Sequence, residues 1–69
     1  MRSTQEQALR AYRRGRRAAR IKASRVPMND PDFALLASQP GNSVSMFSRE
    51  WLRGYDHVLV EEMMIAEQS

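Results

Sequence analysis

Residues 7–25, QALRAYRRGRRAARIKASR, hold two kinds of side chain that a helix would separate onto opposite sides. At about 100° per residue, Ala8, Ala11, Tyr12, Gly15, Ala18, Ala19 and Ala23 gather on one face, and Arg10, Arg13, Arg14, Arg17 and Arg20 gather opposite. Small residues bury little area each, but they let a second backbone come close. Gly15 therefore reads as a contact point, placed there despite a helix-propensity cost of about 1 kcal/mol. Tyr12 and Leu9 supply most of the apolar bulk of this stripe. Arginines three and four apart repel one another, as Arg10 does with Arg13 and Arg14, so the helix frays unless something packs behind it.

Local signals set the expected boundaries. Ser3 followed by Glu6 has the form of a capping box and starts a helix near Thr4. Pro27 disfavours helical angles at Val26, so the first helix is predicted over residues 4–25, with Lys22 and Arg25 suiting the C-terminal end of its dipole. Residues 27–44 carry all three prolines and a Pro40-Gly41-Asn42 turn signal, and read as a connector. Within it Asp30 can cap and Pro31 suits a first helical position, giving a turn or two of helix that packs Phe33, Leu35 and Leu36 inward.

A second long helix is predicted over residues 45–67, capped by Ser43 or Ser45. Phe47, Trp51, Leu52, Tyr55, Val58, Leu59 and Ala66 share its broad apolar face, with Gly54 at the edge as another point of close approach. Arg49, Glu50, Arg53, Asp56, His57 and Glu61 face the other way. Glu62 falls on the apolar face, where a carboxylate needs a cation from the first helix. The expected architecture is all-α: one small domain of two antiparallel helices, packed through Gly15, Ala19, Trp51, Gly54 and Tyr55 and joined by an irregular proline-rich connector.

A chain of 69 residues has room for one core, which supplies about 3–5 kcal/mol. It contains no cysteine, which removes disulfides, thiolate zinc sites and cysteine nucleophiles and fits a cytoplasmic, reducing setting. It has no run of the roughly 18 apolar residues a membrane span requires. The formal charge of +3 conceals an asymmetry: residues 1–25 hold nine of the eleven basic side chains against Glu6 alone, or +8, and the remainder comes to −5.

The arginine face is the strongest functional signal, because solvated faces usually mix charge signs and this one is nearly pure. Guanidinium forks pair with phosphate, and a row of them tracks a nucleic-acid backbone. The candidate RNA-binding set is Arg10, Arg13, Arg14, Arg16, Arg17, Arg20, Lys22 and Arg25, with Tyr12 as a stacking side chain. Neutralising six phosphates would give a log affinity against log salt slope of about −4 to −5. Trp51 and Tyr55, at helical spacing on an apolar face, read first as core. His57 with Glu50 and Glu61 is a weak metal or acid–base constellation, and no phosphate loop or nucleophile elbow is present, so neither an enzyme nor a cofactor is expected.

Three motifs, Arg14-Gly15-x-x-Ala18, Asp30-Pro31-x-Phe33 and Arg49-x-Trp51-Leu52-x-Gly54-Tyr55, resemble those of the ribosome modulation factor family of small bacterial proteins. The resemblance implies two helices joined by a linker and binding to ribosomal RNA of the small subunit, which inhibits translation or favours inactive ribosome dimers. Ala19 stands where the family has a second glycine, the segment between Pro31 and Trp51 is longer, and an acidic, Met-rich tail, VEEMMIAEQS, follows Leu59. The rival reading is a small regulator, of the kind a phage carries, that holds a host enzyme. In that reading Val60, Met63, Met64 and Ile65 form a protein-docking or homodimer surface.

Overall fold

A computed structural model describes residues 4–68 and shows an all-α chain with no strand among them. Helix α1 spans Thr4–Arg20, a single 3-10 turn covers Pro27–Asn29, α2 spans Pro31–Ala37 and α3 spans Val44–Gln68. The Ser3 half of the expected capping box lies outside the described residues.

The core is assembled from all three helices: Ala11, Ala18 and Ala19 of α1, Phe33, Leu36 and Ala37 of α2, and Phe47, Trp51, Tyr55 and Val58 of α3. Trp51, Phe33 and Phe47 are the largest fully buried side chains. The Trp51 ring meets Phe33 edge-on and stacks on Tyr55, with centroids 6.4 and 5.4 Å apart. The alanine stripe of α1 serves as the flat bed for these aromatic rings. At its centre the backbones of α1 and α3 almost touch, because Gly15 lies against the Trp51 carbonyl and Gly54 against the Tyr12 carbonyl.

The direction of packing differs from expectation. Tyr12 meets His57, and one helical turn further along both chains Arg16 meets Glu61. Partners that ascend together mean that α1 and α3 cross while running in the same sense. The connector makes this arrangement: it carries the chain back so that Asp30 and Asp32 reach Arg14, and α3 then starts at the N-terminal end of α1. Two reversals restore the original direction.

Helix α1 also ends earlier than predicted, at Arg20 rather than Arg25. Lys22 adopts a left-handed φ of 59°, the Ala23 amide donates to the Ala18 carbonyl at 2.9 Å, and the Lys22 amide donates to Ala19 at 3.1 Å. This is the Schellman closure that glycine usually makes. It delivers the Ala23 carbonyl to the Tyr55 hydroxyl, which donates to it, and frees Arg25 to reach Asp56. Because Lys22 carries the steric cost of the left-handed region, Lys22→Gly should stabilise the fold by about 0.5–1 kcal/mol after the greater freedom of glycine in the unfolded chain is subtracted. A thermal melt should register this as a rise of about 3–5 °C.

In α2, Asp30 is the N-cap, its carboxylate accepting from the amides of Asp32 and Phe33, and Pro31 opens the helix. Leu35 points to solvent rather than inward, 67% exposed, because a helix of two turns lying on a bundle buries only one stripe. Ser43 caps α3 by accepting from the Met46 amide at 3.2 Å. Along α3, Leu52 is half-buried, but Leu59 and Ala66 are exposed. The seventeen residues of α1 rise about 25 Å and the twenty-five of α3 about 37 Å, so the end of α3 extends past its support. Leu9, on the outer edge of α1, is likewise exposed.

Candidate nucleic-acid interface

Folding divides the basic side chains of α1 and its extension into two groups. One group, Arg14 and Arg16 partly buried and Lys22 and Arg25 exposed, finds carboxylates. Arg14 pairs with Asp30 at 3.1 Å and Asp32 at 2.9 Å. Arg16 makes a two-pronged pair with Glu61 at 2.9 and 3.1 Å, and Arg25 does the same with Asp56 at 2.9 and 2.7 Å. Lys22 lies 3.9 Å from Glu62, which supplies the cation that Glu62 was expected to need. Glu62 is nonetheless exposed, because α1 has ended by that level.

These pairs leave their mark on the ionisation of their members. The Arg16 guanidinium is held above its ordinary range by its hydrogen bond to Glu61, and the Arg25 guanidinium by its bond to Asp56. Hydrogen bonding to Arg25 lowers the Asp56 carboxyl, and bonding to Arg16 lowers Glu61. For Asp30, burial is the largest single influence and favours the neutral form. Hydrogen bonds from Arg14 and the Trp51 indole, the Arg14 charge and the Phe33 amide together outweigh it, so the carboxyl ionises below its ordinary value.

The outward group is Arg10, Arg13, Arg17 and Arg20, all exposed, and no carboxylate among the described residues forms an ion pair with them. Steps of three, four and three residues place them on one stripe, about 15 Å long at 1.5 Å per residue. Each of the four guanidinium groups can pair with one phosphate, so the row can neutralise about four. The acid-rich half of the chain thus neutralises one side of the basic segment and leaves the other intact.

Tyr12 does not stand free as a stacking platform. The guanidinium groups of Arg16 and Arg53 lie over its ring, 5.9 and 5.7 Å from the centroid, and its hydroxyl shares a hydrogen bond of 2.7 Å with His57 Nδ1. Trp51, Tyr55, Gly15, Gly54 and Ala19 are all buried at the crossing of the long helices. His57 is engaged by Tyr12, and no group of three or more potential metal-ligating side chains occurs among the described residues.

Sequence reasoning identified Asp30 as a cap but not as the hub it is. Its second oxygen accepts from Trp51 Nε1 at 3.1 Å while its first takes Arg14. The available signal was the tryptophan itself, since a buried indole N–H usually finds an acceptor.

The fold and the row together define a class: a small all-α protein whose first helix presents arginines outward and packs alanines inward. No family model, curated protein or solved structure matches the chain. Among the described residues no helix is long and apolar enough to cross a membrane.

Proposed function

We propose that this protein binds ribosomal RNA of the small subunit and acts by occupancy, inhibiting translation or favouring inactive ribosome dimers. The observation that carries the polyanion reading is the unpaired row of Arg10, Arg13, Arg17 and Arg20, held at regular spacing by a helix whose other face is locked in the core. The resemblance to ribosome modulation factors directs the reading to ribosomal RNA. The residues that carry that resemblance, Gly15, Trp51, Gly54 and Tyr55, form the helix crossing, so they support the frame and the arginines support the binding.

Four phosphates rather than six set the expected salt dependence. Log affinity for single-stranded RNA should fall against log salt with a slope of about −3. Replacing Arg13 and Arg17 by glutamine should roughly halve that slope without lowering the melting temperature. On a sucrose gradient of cell extract, the protein should travel with small subunits or ribosome dimers at low salt and leave them at high salt. Recovery only in the free fractions at every salt concentration refutes the ribosomal reading.

A second reading has an observation of its own. Val60, Met63, Met64 and Ile65 are exposed on the part of α3 beyond α1, an apolar surface for a protein partner. Deleting residues 60–69 separates the two readings by sign. The deletion removes Glu61 and Glu62 and so releases Arg16 and Lys22, which strengthens RNA binding, whereas a protein partner docked there would be lost.

A further inference from the structure

We infer that α3 pairs with α3 of a second copy of this chain, the two helices lying antiparallel with Leu59 near the two-fold axis. This rests on the second reading, that the end of α3 docks a protein, and names that protein. Leu52, Asp56, Leu59, Met63 and Ala66 follow at steps of four, three, four and three residues, the spacing of a coiled-coil seam. At 100° per residue this seam lies about 120° around the helix from the buried stripe of Phe47, Trp51 and Val58. Leu52 is half-buried, and Leu59, Met63 and Ala66 are exposed. A shallow groove along the first half of the seam is lined by residues of α3 alone, Ser48, Leu52 and Asp56 among them. Helix α3 is thus apolar on two sides, and its own chain covers one of them.

Charge favours a second copy as the occupant. A two-fold contact sets a patch against itself, so its charges must not meet like images. Asp56, the one charged residue of the seam, is answered within its own chain by the two-pronged pair with Arg25. Arg49 is exposed beside the seam near the start of α3, and no carboxylate among the described residues forms an ion pair with it. The last turn of α3 has no basic residue to answer the negative end of its dipole. Pairing antiparallel about Leu59 sets residue 66 of one copy level with residue 52 of the other, which brings each unanswered helix end to Arg49 of the other copy. A parallel pair would set two negative ends side by side.

In this register Met63 of one copy lies level with residue 55 of the other and enters the groove beside Leu52 and Asp56, a fit that an unbranched, adaptable side chain makes readily. The seam offers few large side chains against the roughly 20–30 residues a side of a standard interface. The pair is therefore weak, with a dissociation constant of about 100 µM.

The test is sedimentation equilibrium of the full chain, from about tenfold below that constant to about tenfold above it. The average mass should climb from that of one chain toward that of two. Met63→Glu, at an exposed position, should stay a single chain throughout with unchanged far-ultraviolet circular dichroism, while Leu35→Glu, similarly exposed on α2, should associate as the wild type does. The chain has no cysteine, so single cysteines report the direction. In a glutathione redox buffer Leu59→Cys should form a disulfide-linked pair, and Ala66→Cys, held about 20 Å from its own image, should not. A single-chain mass at every concentration overturns the second copy and leaves the surface to an unlike protein. Association that survives Met63→Glu places the contact elsewhere and overturns the docking role of this surface as well. Masses beyond two chains, or Ala66→Cys cross-linking as readily as Leu59→Cys, overturn the antiparallel pair.

Discussion

Gly15→Ala and Gly54→Ala are each expected to remove most of the chain's stability and leave it only marginally folded at room temperature. A Cβ built on Gly15 would lie 1.8 Å from the Trp51 carbonyl oxygen, and one on Gly54 would lie 2.1 Å from that of Tyr12. Both obstacles are backbone, so no side-chain rotation relieves them and the helices must move apart along their whole contact. Alanine gains about 1 kcal/mol of helix propensity over glycine. Overpacking against flexible side chains already costs about 1–3 kcal/mol, and a backbone clash that separates the Trp51 and Tyr55 rings from the alanine bed costs more. A net loss of about 3 kcal/mol consumes most of the roughly 3–5 kcal/mol a core of this size provides. Far-ultraviolet circular dichroism through a urea titration checks it, and a wild-type midpoint in either variant would show that the two backbones do not meet at these glycines.

Asp30→Ala should be nearly as damaging, by about 3 kcal/mol. It removes the α2 cap, typically worth about 1 kcal/mol, and strands the Trp51 indole and the inner face of Arg14, at about 1–3 kcal/mol for each buried group left unsatisfied. Asp30→Asn keeps an oxygen for the cap and loses the charge, so its loss should be smaller. The same carboxylate shapes the acid limb of stability. Its folded pKa is depressed, as are those of Asp56 and Glu61. The unfolded chain therefore binds more protons over that range, and stability is complete above the ordinary carboxylate value near pH 4 and declines as pH falls through the depressed values. Urea midpoints should be flat from pH 7 to about 5 and drop below about 4, with a shallower drop in Asp30→Asn. Parallel curves for the two proteins would show that Asp30 carries none of the effect.

Features with a local cause were legible in the chain. The Asp30-Pro31 start of α2, the Ser43 cap and the period of Phe47, Trp51, Tyr55 and Val58 follow from neighbours a few residues away. So did Gly15 and Gly54 as points of close approach, since a glycine inside a strong helical pattern needs a reason that packing supplies. The end of α1 was not legible, because Lys22 takes a left-handed conformation that sequence preference assigns to glycine. Nor was the exposure of Leu59 and Ala66, which depends on how far α1 extends beside α3. For the candidate site, the crowding of arginine on one side was plain, but their division was not. Arg14, Arg16 and Arg25 were indistinguishable from Arg10, Arg13, Arg17 and Arg20 until acids from sixteen to forty-five positions away came to meet them.

By itself, the sequence determined an all-α chain, because two long segments have helical periodicity and their caps, prolines and glycines agree with it. It determined also that one helix would be intensely basic, since nine cations fall within residues 1–25. Only the tertiary structure decided that the long helices run in the same sense, because the returning α2 sets that direction and no local signal encodes it. It decided too which arginines remain outward, because an ion pair depends on which surfaces face each other. The row on α1 is what remains of the charge after the fold has neutralised its own inner side.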